Sequence, residues 1–103
     1  MQTYTATRIE IIIESPALRA LTRQLDRAEV KGYTVLPVIG GHGRSGPWTA
    51  AGEIGSAGGM VAVLTMVSPA RAESVLASVF EVVSRHIGLV SVSECRVVRP
   101  ERV

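Results

Sequence analysis

The chain has 103 residues, of which 47% are hydrophobic and 19% charged, with a formal net charge of +2. This length and composition suit one folded domain with its own core, and they exclude a two-domain enzyme and a disordered chain. The single cysteine, Cys95, excludes an intrachain disulfide, a CxxC redox pair and a cysteine-held metal cluster. Because no apolar run reaches the roughly 18 residues of a membrane span and the N-terminus lacks the regions of a signal peptide, we expect a cytoplasmic protein without membrane insertion.

The first predicted element is a strand over residues 8–14, where isoleucines alternate with charged residues at a period of two and Ile12 falls out of phase. Ser15 and Pro16 then supply an N-cap and a first-turn proline, which predicts a helix. Its apolar stripe consists of Leu18, Leu21, Leu25 and Ala28. Gly32 ends this strand–helix unit.

The second half of the chain repeats the same start and stop signals, a Ser-Pro-Ala segment that opens a helix and a glycine that ends it. A second strand is predicted over residues 33–39, where Pro37 indicates an edge position or a bulge, and a third over residues 60–67. Ser68-Pro69-Ala70 repeats the earlier Ser-Pro-Ala and opens a second helix, which Gly88 ends before a last strand over residues 89–98. The residues of this helix that we expect to face inward are Val75, Leu76, Val79, Val82 and Val83.

The predicted order is βαββαβ, an α+β ferredoxin-like sandwich in which two helices cover one face of a four-stranded antiparallel sheet. One such domain accounts for residues 1–103. The third strand is apolar on both sides, so the second face of the sheet needs a cover. We expect another copy of the sheet to supply it, in a closed homo-oligomer.

The connection between the second and third strands, residues 40–59, contains eight of the ten glycines and only two charges, Arg44 and Glu53. A structureless connection of this length is uncommon in a compact domain, so we predict a flexible functional loop. At its root, Gly40-Gly41-His42-Gly43-Arg44 combines unshielded backbone N–H groups with a guanidinium, which is the chemistry of an anion cradle. Trp48 is predicted to be exposed in this loop, where it either anchors a partner or packs on the body of the protein.

A second basic group lies on the last strand and its exit, at Arg96, Arg99 and Arg102. In the predicted sheet, this strand and the root of the loop lie on opposite edges. The two basic groups therefore cannot share a ligand within one subunit, although they can meet across a subunit interface. The alternative is that these arginines are solvated residues at the end of a strand.

Several of these features together resemble the PII family of trimeric signalling proteins. They are Lys31-Gly32-Tyr33-Thr34-Val35 leading into the second strand, Gly41-His42-Gly43-Arg44 at the mouth of the long loop, Ile87-Gly88, and a last strand rich in arginine. The likeness covers nearly the whole chain. It implies a homotrimer that binds adenine nucleotides in the clefts between subunits.

The resemblance also implies roles for individual residues of the nucleotide site. Thr34 and Thr65 would lie near the base, and Gly41, Gly43 and Arg44 near the phosphates, with Gly88 at the same site. Arg96 or Arg99 would reach in from the terminal strand. Glycine lets the backbone approach a phosphate closely, and arginine pairs with it in a fork.

The sequence departs from the regulatory pattern of nitrogen-type PII proteins. The loop contains no tyrosine, so uridylylation is not expected. Ser45 and Gly59 stand where 2-oxoglutarate binders of the family have a glutamine and a lysine, which argues against a keto-acid site. The turn before the last strand contains no lysine, so ADP or AMP fits better than ATP.

These departures resemble the divergent PII-like proteins of inorganic-carbon uptake and carboxysomes. That likeness implies a sensor of the adenylate state with bicarbonate as a second ligand, held by Arg44, Gly43 and Ser45. It also implies a protein partner, either a transporter or a carboxysome component, with a cytoplasmic or carboxysome-associated location. No cofactor beyond these ligands is expected.

Three alternatives remain open beside this non-enzymatic regulator. They are a nitrogen-type PII protein that binds ATP, a CutA-like trimeric metal-tolerance protein and an acylphosphatase-like enzyme. In the enzyme, the phosphate-binding arginine follows the first strand, where this chain has Glu14-Ser15-Pro16. His42 and His86 lack the spacing of a metal site, no nucleophile–base pair can be named, and the scattered aromatic residues do not indicate nucleic-acid binding.

Overall fold

The computed structural model of the protein describes residues 1–49 and 59–103. Its strands and helices in chain order are β1 (Tyr4–Glu14), α1 (Leu18–Arg27), β2 (Tyr33–Pro37), β3 (Gly40–Gly43), β4 (Gly46–Thr49), β5 (Met60–Val67), α2 (Ala72–Val83) and β6 (Gly88–Val97). Three short 3-10 turns lie at Ser15–Ala17, Pro69–Arg71 and Pro100–Arg102. Within the described residues, no helix is long and apolar enough to cross a membrane.

The main sheet has the strand order β2-β5-β1-β6, and each neighbouring pair is antiparallel. Both helices pack on one face of this sheet. The predicted α+β ferredoxin-like fold is therefore confirmed, with two strand–helix–strand halves interleaved in one sheet. The short strand β2 forms one edge and contains Pro37, as the sequence predicts, and β6 forms the other edge.

The core lies between the sheet and the helices and follows the predicted periodicities. Alternate isoleucines of β1, Ile9, Ile11 and Ile13, are fully buried, because a strand places every second side chain on the same face. The core residues contributed by the helices and by β5 are Ala17, Leu21, Leu25, Val63, Val67, Val75, Val79 and Val82. Leu18, Ala28, Leu76 and Val83 are partly buried at the margin of this cluster.

The starts of the helices differ from the prediction in one detail. Ser15 does not act as a side-chain N-cap, and neither does Ser68. Each serine instead leads into a 3-10 turn whose second or first residue is a proline, and the α-helix continues from that turn. The fixed φ of proline supplies the helical entry without a capping hydrogen bond.

The face of the sheet away from the helices carries a continuous apolar row across all four strands. Register pairs place Leu36 opposite Ala62, Ala62 opposite Ile12, and Ile12 opposite Leu89. Leu36 is 45% exposed and Leu89 67% exposed. The next positions on β1 are polar, where Arg8 and Glu10 form an ion pair of 2.8 Å. The second apolar face predicted from the sequence is thus present and open in a single chain.

The first half of the predicted loop is ordered as a hairpin, which corrects the expectation of a structureless connection there. Strands β3 and β4 pair antiparallel from Gly40 opposite Thr49 to Gly43 opposite Gly46. Because the root of the loop is already paired as a small sheet, the glycines there are strand residues. Residues 50–58, including Glu53, lie outside the described residues.

Candidate functional site

Two cavities open near opposite ends of β5. The smaller, which we call the edge cavity, has a volume of about 290 Å³ and lies where β2 begins beside the last residues of β5. It is lined by Gly32, Tyr33, Thr34, Leu64, Thr65, Met66, Arg102 and Val103. Antiparallel pairing builds its wall, since Tyr33 lies opposite Thr65 and Thr34 opposite Leu64.

Two hydrogen bonds fix the rim of the edge cavity. The hydroxyl of Thr65, a residue that is only 3% exposed, donates to the carbonyl oxygen of Gly32 over 2.6 Å and holds the segment before β2. The Nζ atom of Lys31 donates to the carbonyl oxygen of Glu101 over 3.2 Å and holds the C-terminal turn that supplies Arg102. The result is a small cavity with leucine and methionine walls and a few polar groups, which suits a flat ring with polar edges.

The larger cavity, which we call the hairpin cavity, has a volume of about 1060 Å³ and lies between the β3–β4 hairpin and the adjoining ends of β1, β5 and β6. It is lined by Ile12, His42, Gly43, Arg44, Ser45, Gly46, Trp48, Met60, His86, Ile87, Gly88 and Leu89. The hairpin turns through the two residues Arg44 and Ser45, because Gly43 pairs with Gly46. Gly46 has a φ of 106°, a conformation that glycine adopts without a Cβ penalty.

The turn of the hairpin presents a free cation. Within the described residues, the Arg44 guanidinium makes no hydrogen bond or ion pair with another side chain. A guanidinium and an adjacent serine hydroxyl at a glycine-flanked turn can contact an oxyanion from several directions. This geometry fits the anion-binding role expected for Gly43, Arg44 and Ser45.

A carboxylate–imidazole pair lies beside the hairpin cavity. Glu14 Oε2 is 2.8 Å from His86 Nδ1 and accepts a hydrogen bond from the backbone N–H of Ile87 over 3.2 Å. The hydrogen bond with His86, followed by the one from Ile87, lowers the pKa of Glu14 below its ordinary value of 4.5. Glu14 therefore stays ionised at neutral pH and anchors the turn before β6. The other acidic residue of β1 with an ion pair is Glu10, whose partner is Arg8 at 2.8 Å.

The predicted site residues fall into three groups: those at the edge cavity, those at the hairpin cavity and those at neither. Thr34 and Thr65 come together at the edge cavity. Gly43, Arg44, Ser45, Gly88 and Trp48 come together at the hairpin cavity, with Gly41 on the same hairpin beneath Trp48.

Arg96 and Arg99 line neither cavity. Arg96 Nε donates to Thr3 Oγ1 over 2.6 Å, and Arg99 pairs with Glu101 at 3.1 Å. In a single chain these two arginines are thus engaged locally, and of the three arginines at the end of the chain it is Arg102 that reaches a cavity. Arg102 belongs to the basic group recognised in the sequence, but the 3-10 turn that folds it back onto β2 has no local sequence signal.

Trp48 is half-buried, which corrects the expectation that it is exposed. Its indole lies over Gly41, its register partner across the hairpin. The sequence left open packing on the body of the protein, whereas the contact seen here is with the hairpin itself. Its role toward a partner stays a prediction.

His42 and His86 both line the hairpin cavity, although neither was predicted to belong to a site. The signal that could have located His86 is its position two residues before Gly88, at the start of β6. Across residues 1–49 and 59–103, no three His, Cys, Asp or Glu side chains converge as a metal site.

The two cavities are separate. Met60, at the start of β5, lines the hairpin cavity, whereas Thr65, near its end, lines the edge cavity. Five residues at about 3.3 Å each put these positions roughly 17 Å apart along the strand. The cavities share no lining residue. The residues expected near a base and those expected near phosphates therefore occupy different parts of one chain.

Comparison with known proteins agrees with this architecture. The structure of CPII, a nitrogen regulatory PII-like protein from Thiomonas intermedia K12 bound to ADP, AMP and bicarbonate, matches with a TM-score of 0.86 and 27% identity over 98% of this chain and 95% of that one. The same protein bound to ADP and bicarbonate matches with a TM-score of 0.82 and 27% identity over 98% and 96% of the two chains. Its apo form matches with a TM-score of 0.73 and 25% identity over 96% and 98%.

No curated protein matches the chain significantly. The family model described as nitrogen regulatory protein P-II matches residues 6–102, which is nearly the whole chain. The fold, the strand order and the residues quoted above agree with that match, and the chain belongs to the P-II family of signalling proteins.

Proposed function

We propose that the protein is a non-enzymatic regulator that senses the adenylate state by binding ADP or AMP in the clefts between the subunits of a homotrimer. The observation that carries this proposal is the separation of the two cavities. One chain supplies the hydrophobic edge cavity with Thr34 and Thr65, and the hairpin cavity with Gly43 and Arg44, at positions too far apart for one nucleotide. A cleft that joins the edge cavity of one subunit to the hairpin cavity of its neighbour would hold both the base and the phosphates.

Self-association would also cover the apolar row of the open sheet face. The row from Leu36 to Leu89 leaves large aliphatic side chains in water, and burying it between copies is favourable at roughly 25 cal/mol per Å². The same packing would bring each subunit's edge cavity toward a neighbour. Oligomer formation and site formation are therefore one event in this proposal.

The ligands are proposed from the chemistry of the hairpin cavity and from the CPII structures, which contain ADP, AMP and bicarbonate. Arg44 is the one permanently cationic side chain among the described residues that line this cavity, which favours a short phosphate chain. Bicarbonate is an oxyanion small enough to bind beside the nucleotide at Arg44, Gly43 and Ser45. The same observations make ADP or AMP better candidates than ATP.

The primary test is calorimetry with AMP, ADP and ATP on a protein whose subunit number is measured by light scattering. We expect a trimer in which ADP or AMP binds more tightly than ATP. Arg44→Ala should weaken ADP binding at least about tenfold, since a charge-assisted hydrogen bond to phosphate contributes about 1.5–3 kcal/mol. Arg23→Ala, an exposed arginine on α1, is the matched control and should bind like the wild type. A monomer, or equal binding by Arg44→Ala, contradicts the proposal.

Mixed trimers test whether the site is shared between subunits. Arg44→Ala damages the hairpin cavity, and Thr34→Arg fills the edge cavity, so neither variant should bind ADP as a homotrimer. Refolding the two together produces some interfaces that join an intact edge cavity to an intact hairpin cavity. Those interfaces should restore about one ADP site per mixed trimer. If both half-sites act within one chain, mixing will restore nothing.

Bicarbonate and a protein partner are the finer parts of the proposal. Calorimetry with ADP should show tighter or additional binding when bicarbonate is added, and an unchanged titration removes bicarbonate from the proposal.

The hairpin would change conformation with ligand and contact a transporter or a carboxysome component through Trp48, which would place the protein in the cytoplasm or at the carboxysome. Trp48→Ala should then lose ADP-dependent contact with that partner while it retains ADP binding.

A further inference from the structure

Two histidines from separate elements lie at the hairpin cavity together with Arg44. His42 belongs to β3, and His86 belongs to the turn between α2 and β6. Both line this one cavity because the hairpin folds toward the start of β6, where Gly88 also lines the cavity. Imidazole is the side chain whose charge ordinarily changes between about pH 5 and 8.

The orientation of the His86 ring is set by Glu14. The carboxylate oxygen Oε2 lies 2.8 Å from Nδ1 of the ring and also accepts the backbone N–H of Ile87. An ionised carboxylate only accepts hydrogen bonds, so Nδ1 carries the proton of this contact. Nε2 is the other ring nitrogen, and no hydrogen bond to it occurs within the described residues.

The charged groups around the cavity are few. Among the described residues they are Arg44 and His42 on the hairpin, His86 on the turn and Glu14 at the end of β1. With both rings neutral, the guanidinium and the carboxylate cancel. Protonation of one ring leaves one net positive charge, and protonation of both leaves two. From these described groups, phosphate would thus meet no net charge with both rings neutral and a positive charge with either ring protonated.

We propose that His86, held in place by Glu14, is a proton-dependent phosphate-binding residue of the hairpin cavity. The inference rests on the proposed function, because it assigns the nucleotide phosphate to this cavity. Binding of the phosphate and uptake of a proton by His86 favour each other, since linkage between two ligands is reciprocal. The affinity for ADP therefore rises as the pH falls toward about 6. The occupancy of the cavity therefore depends on both the adenylate concentration and the proton concentration.

The test is ADP calorimetry on the wild type and His86→Gln at about pH 6, 7 and 8.5. Glutamine can still donate a hydrogen bond to Glu14, but it carries no charge. We expect the wild type to bind about tenfold more tightly than His86→Gln at pH 6 and about equally at pH 8.5. The terminal phosphate of ADP titrates in the same range in every sample, so the difference between variants isolates the ring. Arg85→Gln removes a charge at the adjacent exposed position, which does not line the cavity, and should follow the wild type at every pH.

A second variant keeps the inference testable if His86→Gln does not fold. Glu14→Ala leaves the His86 ring in the chain but removes its anchor, and we expect its pH dependence to fall between those of the wild type and His86→Gln. Subunit number and circular dichroism identify any variant that fails to assemble. Calorimetry in two buffers of different ionisation enthalpy should also show that the wild type takes up more protons on binding ADP than His86→Gln does.

The outcomes separate this inference from the proposed function. If the wild type, His86→Gln and Glu14→Ala all bind ADP with the same pH dependence, the role of His86 is wrong and the nucleotide site stands. If the wild type binds no ADP at any pH, the proposed function itself is wrong, and the inference is rejected with it.

Discussion

Trp48 lies directly opposite Gly41 in the β3–β4 hairpin, and its indole occupies the space that a side chain at position 41 would need. A Cβ atom placed on Gly41 would lie 3.0 Å from Cζ2 of the indole, which is tighter than ordinary van der Waals contact. The equivalent atom on Gly43 would lie 3.8 Å from the indole nitrogen, an ordinary contact distance. The position of the tryptophan thus depends on one particular glycine of the Gly-Gly-His-Gly strand.

Gly41→Ala should displace the Trp48 ring from the hairpin. Trp48 is the chain's single tryptophan, so its fluorescence reports this contact directly. We expect emission to shift to longer wavelength as the ring gains water, while the free energy of unfolding changes by about 0.5 kcal/mol or less because the hairpin is at the surface. Gly43→Ala is the matched control and should leave the spectrum unchanged. Identical spectra for both variants would show that the ring does not pack on Gly41.

Gly88→Ala should destabilise the whole domain. A Cβ atom at this position would lie 2.9 Å from the backbone oxygen of Ile12 and 3.1 Å from Cγ1 of Ile13, so β6 would have to move away from β1. Overpacking of this kind costs about 1–3 kcal/mol, which urea unfolding measures readily. Gly32→Ala is the control, because a Cβ atom there has no neighbour within 4 Å. A Gly88→Ala protein as stable as Gly32→Ala would refute the close approach of the two strands.

The fold was largely predictable because its strands and helices carry local signals. Alternating isoleucines mark β1, and the two Ser-Pro-Ala segments mark the starts of both helices. The sequence did not predict that β1 begins as early as Tyr4. Residues Tyr4 to Thr7 are polar or small, and they are strand residues because they pair with Val97 to Glu94 on β6. Such pairing is tertiary and leaves no periodic pattern.

The hairpin within residues 40–49 was missed for a related reason. Glycine is depleted in strands, so Gly40-Gly41-His42-Gly43 does not read as a strand from propensity alone. Pairing with Gly46–Thr49 and packing of Trp48 over Gly41 hold it in place. Both contacts depend on a turn at Arg44 and Ser45 that lacks a strong sequence signature.

Site residues could be predicted where they lie on a strand whose pairing determines their position. Residues placed by contacts with distant parts of the chain could not. Thr34 and Thr65 lie together because β2 and β5 pair antiparallel, with Tyr33 opposite Thr65 and Thr34 opposite Leu64. His86 could not be placed, because its position beside the hairpin cavity depends on a contact with Glu14, 72 residues away in the chain. Likewise, Arg102 reaches the edge cavity through a terminal turn held by Lys31.

Leu89→Glu should dissociate the proposed homotrimer without unfolding the subunit. Leu89 ends the apolar row on the open face and is 67% exposed in a single chain, so a charge there costs little until a neighbouring subunit buries it. Phe80→Glu is a closely matched control, because Phe80 is 66% exposed but lies on α2, in the helical layer. Light scattering should find monomers for Leu89→Glu and the wild-type mass for Phe80→Glu. Dissociation by Phe80→Glu alone would place the interface on the helices instead.

Acid stability should depend on Glu14 in a direction set by its pKa. Hydrogen bonds from His86 and from the backbone of Ile87 lower the pKa of Glu14 in the folded protein, so the unfolded chain binds a proton at this carboxyl more readily than the folded one. The stabilisation is therefore fully present above about pH 4.5 and is lost as the pH falls through the lowered value. Urea unfolding at decreasing pH should show a larger loss for the wild type than for Glu14→Gln.

The control for this pH dependence is Glu94→Gln. Glu94 is exposed on β6 and forms no hydrogen bond or ion pair with another side chain in the described part of the chain. It should lose stability in acid in parallel with the wild type. If Glu14→Gln also runs parallel to the wild type, the contact with His86 contributes nothing to folding, since any carboxyl with a lower pKa in the folded state must make stability depend on pH.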